Sequence, residues 1–489
     1  SLPPRPTEGS PHQATEGIAR VSFQAKGEQG LPIAPRPPAA TPLLTLPEDE
    51  TDEPRPLTVR ELGAPTLTLD AVISAVYLQY PLLQSALYSR NIALGEQVAA
   101  AGAFDLKLKG ASENGPTGFY QTYRQSIGVN QPLYNGGEVF AGYRIGRGDF
   151  QPWYLERQTN DGGEFKAGVG MPLLQNLEID PRRAALWQAQ YGRQLAEPDI
   201  QAQLIAFVQE AAYAYWMWVA AGANYKITQR ILDLAEERTE RIRDQVQAGL
   251  IDPPELTDNQ RLIAERRAKL ADARRKLDQS AAKLSLYLRD PSGRPVLPQE
   301  ELLPDFPEPR APSAESISAE IEVALQSRPE LKSLDWYRRQ LEIEYAQAEN
   351  MTLPELDAVL SASQDVGQAT SKKRDKSQFE LEASLFLDVP IQRRKARGKL
   401  TALEGKLGQL SAKRRMVADK IAVDVQNARI ALAAALEQVQ QSREAVRLAE
   451  DLANRERENL ERGLSDLLKV TLREQYAVES AQKAVDALQ

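Results

Sequence analysis

Glu461-Arg-Gly-Leu-Ser-Asp466 breaks a run, Lys399 to Gln489, that otherwise reads as helix throughout. Arg455 and Arg457 precede the break and Thr471 follows it. The same arrangement stands 214 positions earlier, as Arg241, Arg243, Gly249, Leu250, Asp252 and Thr257. Identities at one fixed offset, set around a Gly-Leu-x-Asp turn, mark an internal duplication. Each copy is therefore expected to contain a long helix, a tight turn and a return helix.

Working outward, the two long helices span about Pro181 to Ala248 and about Arg393 to Arg462. Each holds roughly 67 residues, or about 100 Å at 1.5 Å per residue. That is far beyond an ordinary globular helix. Leu432, Leu436, Val439 and Val446 repeat with coiled-coil spacing, and Ile263, Leu270, Leu277 and Leu284 are separated by sevens. A seven-residue repeat implies a left-handed supercoil. Pro198 is expected to kink the first long helix. The first return helix runs to about Arg289, so the offset places the equivalent end near position 503, about 14 residues past Gln489.

Shorter helices open each copy. Leu67-Thr-Leu-Asp70 starts one, and Tyr80-Pro81-Leu-Leu83 marks a break and restart, with Pro81 suited to a first helical turn. The second copy begins at Glu315-Ser-Ile-Ser-Ala319 and restarts at Arg328-Pro-Glu-Leu331. Between these helices and the long ones the period changes to two. Phe104, Leu106 and Leu108 alternate with Asp105, Lys107 and Lys109, and Phe165, Ala167, Val169 and Met171 alternate with Glu164, Lys166 and Gly168. In the second copy Phe379, Leu381, Ala383, Leu385 and Leu387 alternate with Gln378, Glu380, Glu382 and Ser384. Such alternation gives strands with one apolar and one polar face. No segment is left over to cover the apolar faces, and their lengths fit the 9–11 residues of a lipid-facing barrel strand. Residues 123–131 and 139–145, split by Asn135-Gly-Gly137, read as a further strand pair in the first copy only.

Residues 1–61 read as a disordered Pro-rich tail, 62–289 as the first repeat, 290–312 as a linker and 313–489 as the second repeat, C-terminally truncated. Barrel strands are expected over about 104–172 and 355–390. The fold class is mixed α and β, mainly α.

Composition excludes several functions. The chain has no cysteine and a single histidine, His12, so disulfides, thiolate chemistry, a Ser-His-Asp triad and a histidine zinc site drop out. The net charge of −8 carries no basic excess for nucleic acid. No apolar run reaches the 18 or more residues of a transmembrane helix. No Gly-rich phosphate loop or metal cluster is present, so neither enzyme nor cofactor is expected. No signal peptide is visible; a targeting segment would lie outside the sequence that opens Ser-Leu-Pro-Pro.

Helix, strands, long helix, Gly-Leu turn and return helix, all twice, resemble the TolC family of outer-membrane efflux and secretion channels. The residues carrying the likeness include Leu67-Thr-Leu-Asp70 with Tyr80-Pro-Leu-Leu83, Arg328-Pro-Glu-Leu331 and Ala346-Gln-Ala-Glu-Asn-Met-Thr-Leu-Pro-Glu-Leu356. Pro172-Leu-Leu174, Asp180-Pro-Arg-Arg-Ala184 and the two Gly-Leu turns add to it. The resemblance implies a homotrimer with a shared transmembrane β-barrel continued by a coiled-coil α-barrel. It further implies a passive exit duct in the Gram-negative outer membrane, extending into the periplasm. The partners would be outer-membrane lipid, a periplasmic membrane-fusion adaptor and an inner-membrane transporter. The family usually donates two strands per copy. The added pair here leaves open a barrel of about eighteen strands, or one of about twelve with the hairpin lying inside or outside it.

Candidate residues follow from that likeness and from their own chemistry. Gly249, Leu250, Gly463 and Leu464 are candidate adaptor-docking tips; the glycines also suit helix C-caps. Glu255, Asp258, Asp466, Lys469 and Arg473 are candidates for an aperture gate, and the acids also suit helix N-caps. The family often places acids past the Gly-Leu turns, whereas the second tip has Lys469 and Leu472. Lys469 and Arg473 are candidates to pair with the acids of a neighbouring first tip. Phe379, Leu381, Ala383, Leu385 and Leu387 are expected to face lipid. Arg182-Arg183 and Arg393-Arg-Lys-Ala-Arg397 suit either a solvated helix start or anionic head groups. Tyr213, Tyr215, Trp216 and Trp218 are expected to pack between helices. The competing reading is a soluble periplasmic coiled-coil scaffold or tether without a pore.

Overall fold

The computed structural model describes residues 55–57, 65–150, 158–249, 251–311, 316–370 and 379–489. In chain order the first copy contributes strand β1 (Arg55–Leu57), helices α1 (Leu69–Gln79) and α2 (Pro81–Ala101), and strands β2 (Lys107–Gly115) and β3 (Thr122–Pro132). Strands β4 (Glu138–Gly148) and β5 (Glu164–Pro172) follow, then helices α3 (Pro181–Gln247) and α4 (Pro253–Leu284). After β6 (Val296–Pro298), the second copy holds α5 (Ile317–Ser327), α6 (Pro329–Asn350), β7 (Glu355–Asp365), β8 (Phe379–Asp388), α7 (Arg394–Glu461) and α8 (Leu467–Leu488).

Local chemistry accounts for the boundaries. The Thr68 hydroxyl accepts from the Ala71 N–H at 3.2 Å and caps α1, and Ser316 does the same for α5 from Ala319 at 3.3 Å. Pro81 and Pro329 each occupy the first position of the next helix, where a missing N–H costs nothing. The long helices have 67 and 68 residues. Pro198 lies inside α3, which continues through it. Among the described residues no helix is long and apolar enough to cross a membrane.

The chain divides into two units, each built from separated segments. One comprises Ala93–Arg193 and Tyr337–Gln409 and contains the large sheet; the other comprises Gln194–Trp336, Leu410–Gln489 and the described part of Thr41–Ile92.

The sheet has six strands in the order β2-β3-β4-β5-β7-β8, every neighbouring pair antiparallel. The added strand pair of the first copy is therefore an integral part of it. Its register places Leu108, Val129, Ala141, Ala167, Ala362 and Leu381 in one cross-strand row. The neighbouring row, Lys109, Gly128, Gly142, Lys166, Ser363 and Glu380, falls on the opposite face, since successive residues of a strand alternate. Polar-face ion pairs cross the strands: Arg144 to Glu164, and Lys166 to Glu382 at 3.2 Å. The first strand begins later than its alternation suggests. Gly102–Phe104 form a turn of 3-10 helix, so Phe104 lies before the sheet and its ring packs 5.4 Å from that of Tyr134.

The helical unit has its main core where α1, α2, α3 and α4 meet the segment after Leu288. Leu67, Val72, Val76, Tyr215, Trp218, Leu284, Val296 and Leu302 are buried there. Tyr215 donates its hydroxyl to the Leu67 carbonyl at 3.0 Å, and Trp216 stacks on Phe306 with ring centroids 5.8 Å apart. Two of the four expected packing aromatics, Tyr215 and Trp218, are thus core residues, while Tyr213 is exposed. The stretch 290–312 is not a bare linker. Val296–Pro298 pairs in parallel with Arg55–Leu57, and Leu302 and Leu303 fill the core. Leu303 comes so close to α3 that a Cβ at Gly222 would lie 2.4 Å from its methyls and force that side chain to shift. Short apolar side chains among prolines supplied the core here without helical or alternating period. The strand at 55–57 likewise lies within the expected tail; the remainder of residues 1–61 lies outside the described residues, as does the expected loop Ser371–Asp375.

Candidate functional site

Both duplicated turns are helix ends in left-handed conformation. Gly249 has φ 71° and Gly463 φ 73°, values that cost a side chain about 1 kcal/mol or more. At the second tip Gly463 donates to the Leu460 carbonyl at 3.0 Å and Leu464 to that of Asn459 at 2.8 Å. These bonds form a Schellman cap, which satisfies carbonyls that the helix end leaves free. Gly249 makes the equivalent bond to Val246 at 3.0 Å. Leu464 is 74% exposed, so the cap presents an apolar side chain to solvent. Leu250 lies outside the described residues.

The acids past the turns differ between copies. The Asp466 carboxylate caps α8, accepting from the Lys469 N–H at 2.8 Å, and also meets the Lys469 ammonium at 3.0 Å. The backbone bond from Lys469, and then its side chain, hold Asp466 below the usual carboxylate range. Asp252 makes no side-chain cap bond; Pro253 and Pro254 begin α4, removing N–H groups that such a cap would serve. Asp258 pairs with Arg261 at 2.9 Å on its own helix. Within one chain the charges of Asp466, Lys469 and Asp258 are thus engaged locally. Glu255 and Arg473 are both half-buried on the return helices.

One group at this end escaped the sequence reading. Glu474 of α8 is fully buried, and three arginines converge on it. Its Oε1 accepts from Arg238 of α3 and from Arg457 of α7, the latter at 2.9 Å, while Oε2 accepts from Arg266 of α4 at 2.8 Å. Arg266 also donates to the Ile231 carbonyl at 2.6 Å. Burial works to raise the Glu474 pKa, but the charge of Arg238 and the bonds from Arg266 and Arg457 outweigh it and leave it below the usual range. Burial in turn lowers Arg238. The cluster joins all four helices of the two hairpins. A signal existed: Leu467, Val470 and Glu474 follow three-four spacing, so an acid occupies a seam position that would otherwise be apolar. A second, exposed bridge joins Arg241 to Glu461 at 2.6 Å.

In the sheet, Phe379, Leu381, Leu385 and Leu387 of β8 are 58–70% exposed and share one face. Arg183 is not a free head-group ligand. It is buried, its N–H donates to Asp180 at 2.7 Å, and its guanidinium donates to the Leu177 carbonyl at 3.0 Å. Arg394, Lys395 and Arg397 are exposed. Among the described residues no group of three His, Asp or Glu side chains is placed to hold a metal ion.

Residues 153–288 match the family model described as outer membrane efflux protein. A search of curated proteins finds no match. Among solved structures, the outer membrane protein VceC of Vibrio cholerae superposes with TM-score 0.58 at 14% identity, covering 86% of this chain and 92% of its own. The CmeC outer membrane channel of Campylobacter jejuni gives 0.59 at 12% identity, covering 95% and 91%. The open state of the MtrE outer membrane channel of Neisseria gonorrhoeae gives 0.56 at 13% identity, covering 86% and 85%. The chain therefore has the fold of the TolC-like outer-membrane channels, and its residues 153–288 match the outer membrane efflux protein model.

Proposed function

We propose that this protein is the outer-membrane exit duct of a tripartite efflux pump or a type I secretion system. It acts as a homotrimer, conducts passively, and catalyses nothing. The observation that carries the reading is the six-stranded sheet crossed on one face by the apolar row Leu108, Val129, Ala141, Ala167, Ala362 and Leu381, on a chain that also bears two duplicated helical hairpins. A soluble scaffold has no use for exposed Leu381, Leu385 and Leu387 on one sheet face. In a bilayer that face meets lipid, and the polar face meets a water-filled interior. The hairpin tips, with exposed Leu464 on a rigid cap, dock a periplasmic adaptor bound to an inner-membrane transporter. By the sequence duplication, Leu250 is the docking residue proposed for the first tip. The acids Glu255, Asp258 and Asp466, with Lys469 and Arg473, lie next to those tips and set the aperture.

Fractionation of expressing cells tests the reading. The protein is expected in the outer-membrane pellet and to run as a trimer on an unheated gel and as a monomer after heating. Recovery as a soluble species without detergent would favour the scaffold.

A further inference from the structure

We infer that three copies of this chain close an eighteen-stranded barrel, with β8 of each copy paired to β2 of the next. The inference rests on the trimeric duct proposed above and specifies its membrane section.

Three observations carry it. First, the β3–β4 hairpin is built into the sheet on both sides. β2 pairs with β3 from Lys107↔Asn130 to Gly115↔Thr122, and β4 pairs with β5 from Glu138↔Gly170 to Arg144↔Glu164. The apolar row from Leu108 to Leu381 crosses the hairpin without interruption. A hairpin lying inside or outside a smaller barrel would break that row and leave β2 beside β5.

Second, the stagger of the strand feet is that of a closed barrel. The hydrogen-bonded register runs from Lys107 through Asn130, Phe140, Gly168 and Ser361 to Glu382. The strand ends nearest the helices drift steadily from that line, to Pro132, Glu138, Pro172, Glu355 and Asp388. From Glu382 to Asp388 the drift is six residues, or about 20 Å, across interstrand gaps that sum to about 24 Å. The implied tilt of about 40° lies within the 35–45° that barrel closure requires.

Third, the two edges complement each other. With the strand feet level under threefold symmetry, Asp388 falls against Lys107 or Lys109 of the next copy, and Phe386 against Lys109 or Ala111. A basic foot on β2 meets an acidic foot on β8, and both unpaired edges disappear. Eighteen strands at this tilt enclose a backbone diameter of about 35 Å, against about 24 Å for twelve, because diameter grows roughly in proportion to strand number. The membrane section is then as wide as a porin's and lined by polar residues of both signs, suited to bulky hydrophilic cargo.

The chain has 0 cysteines, so disulfide mapping has no background. Ala111→Cys is combined with Phe386→Cys or Ser384→Cys in the full chain, and outer membranes are oxidised. Covalent dimers and trimers from at least one pair are expected. Ala111→Cys with Lys166→Cys is expected to give no bond, because two strands separate them. An intrachain bond from that pair would place β2 beside β5 and overturn the eighteen-stranded barrel while leaving the duct intact. The wild-type trimer in lipid nanodiscs, imaged by electron cryomicroscopy, is expected to show eighteen strands. Twelve would overturn the inference, and absence of any membrane trimer would overturn the duct reading with it.

Discussion

Replacing Glu474 with glutamine should loosen the helical tips more than any other single polar change near them. The carboxylate is fully buried and takes donors from Arg238, Arg266 and Arg457. Glutamine keeps the shape but turns one acceptor into a donor that faces arginine donors. Three guanidinium groups then converge without a counter-charge. Breaking a buried ion pair by removing one partner costs about 3–5 kcal/mol. That is a factor of about 10² to 10³ or more in the local equilibrium, at 1.4 kcal/mol per decade. Arg457 shares a hairpin with Glu474, whereas Arg238 and Arg266 belong to the other hairpin. The loss therefore falls on the joint between hairpins, and the expected readouts are a lower thermal midpoint and a raised, noisier single-channel conductance. Replacing all four residues with apolar ones, Glu474→Leu with Arg238→Met, Arg266→Met and Arg457→Met, should restore stability, since no charge is left stranded. The pH dependence has a definite sign. Glu474 is lowered in the folded state, so its contribution is fully present above the ordinary carboxylate pKa and is lost as pH falls through the lower folded value. The cluster should therefore hold at pH 5 and give way only in stronger acid. A Glu474→Gln protein with wild-type midpoint and conductance would refute the idea that the cluster couples the hairpins.

Leu385→Arg, on the exposed apolar face of β8, should impair membrane insertion by about 2–4 kcal/mol if it lies near the midplane, read as loss of trimer in outer membranes. Gly463→Pro removes an N–H that the cap uses and a φ that proline cannot adopt; Leu464→Asp removes the exposed apolar contact. Both should abolish transport yet leave the trimer assembled, and unchanged crosslinking of a co-expressed adaptor from position 462 would argue against docking there. Lys469→Glu should raise the conductance of the reconstituted trimer, while Glu255→Gln with Asp258→Asn should weaken block by multivalent cations. Wild-type behaviour in both would leave these residues as local helix-end partners only.

Long-period features were legible in the sequence. The duplication at offset 214 located both tips, and the long helices end within a residue or two of their expected limits, because the Gly-Leu turns and the strand runs bound them on either side. Period-two runs likewise located β5 and β8, and Asn135-Gly-Gly137 marked the additional hairpin. What escaped had no period or broke one. Val296, Leu302 and Leu303 lie among prolines, so their role in the core arises only from tertiary packing against α3 and α4. Glu474 interrupts an apolar seam with an acid, and only three arginines from distant segments make its burial tolerable. Arg183 looked solvated because Asp180 and the Leu177 carbonyl, which hold it, form a turn whose shape the sequence does not announce.

The central claim, that this chain forms a water-filled duct through a lipid bilayer, is tested most directly by planar-bilayer recording of the purified protein. Discrete conductance steps from the trimer are expected, larger in Glu474→Gln than in wild type. A protein that reaches the bilayer as a trimer yet conducts no ions in either form would contradict it.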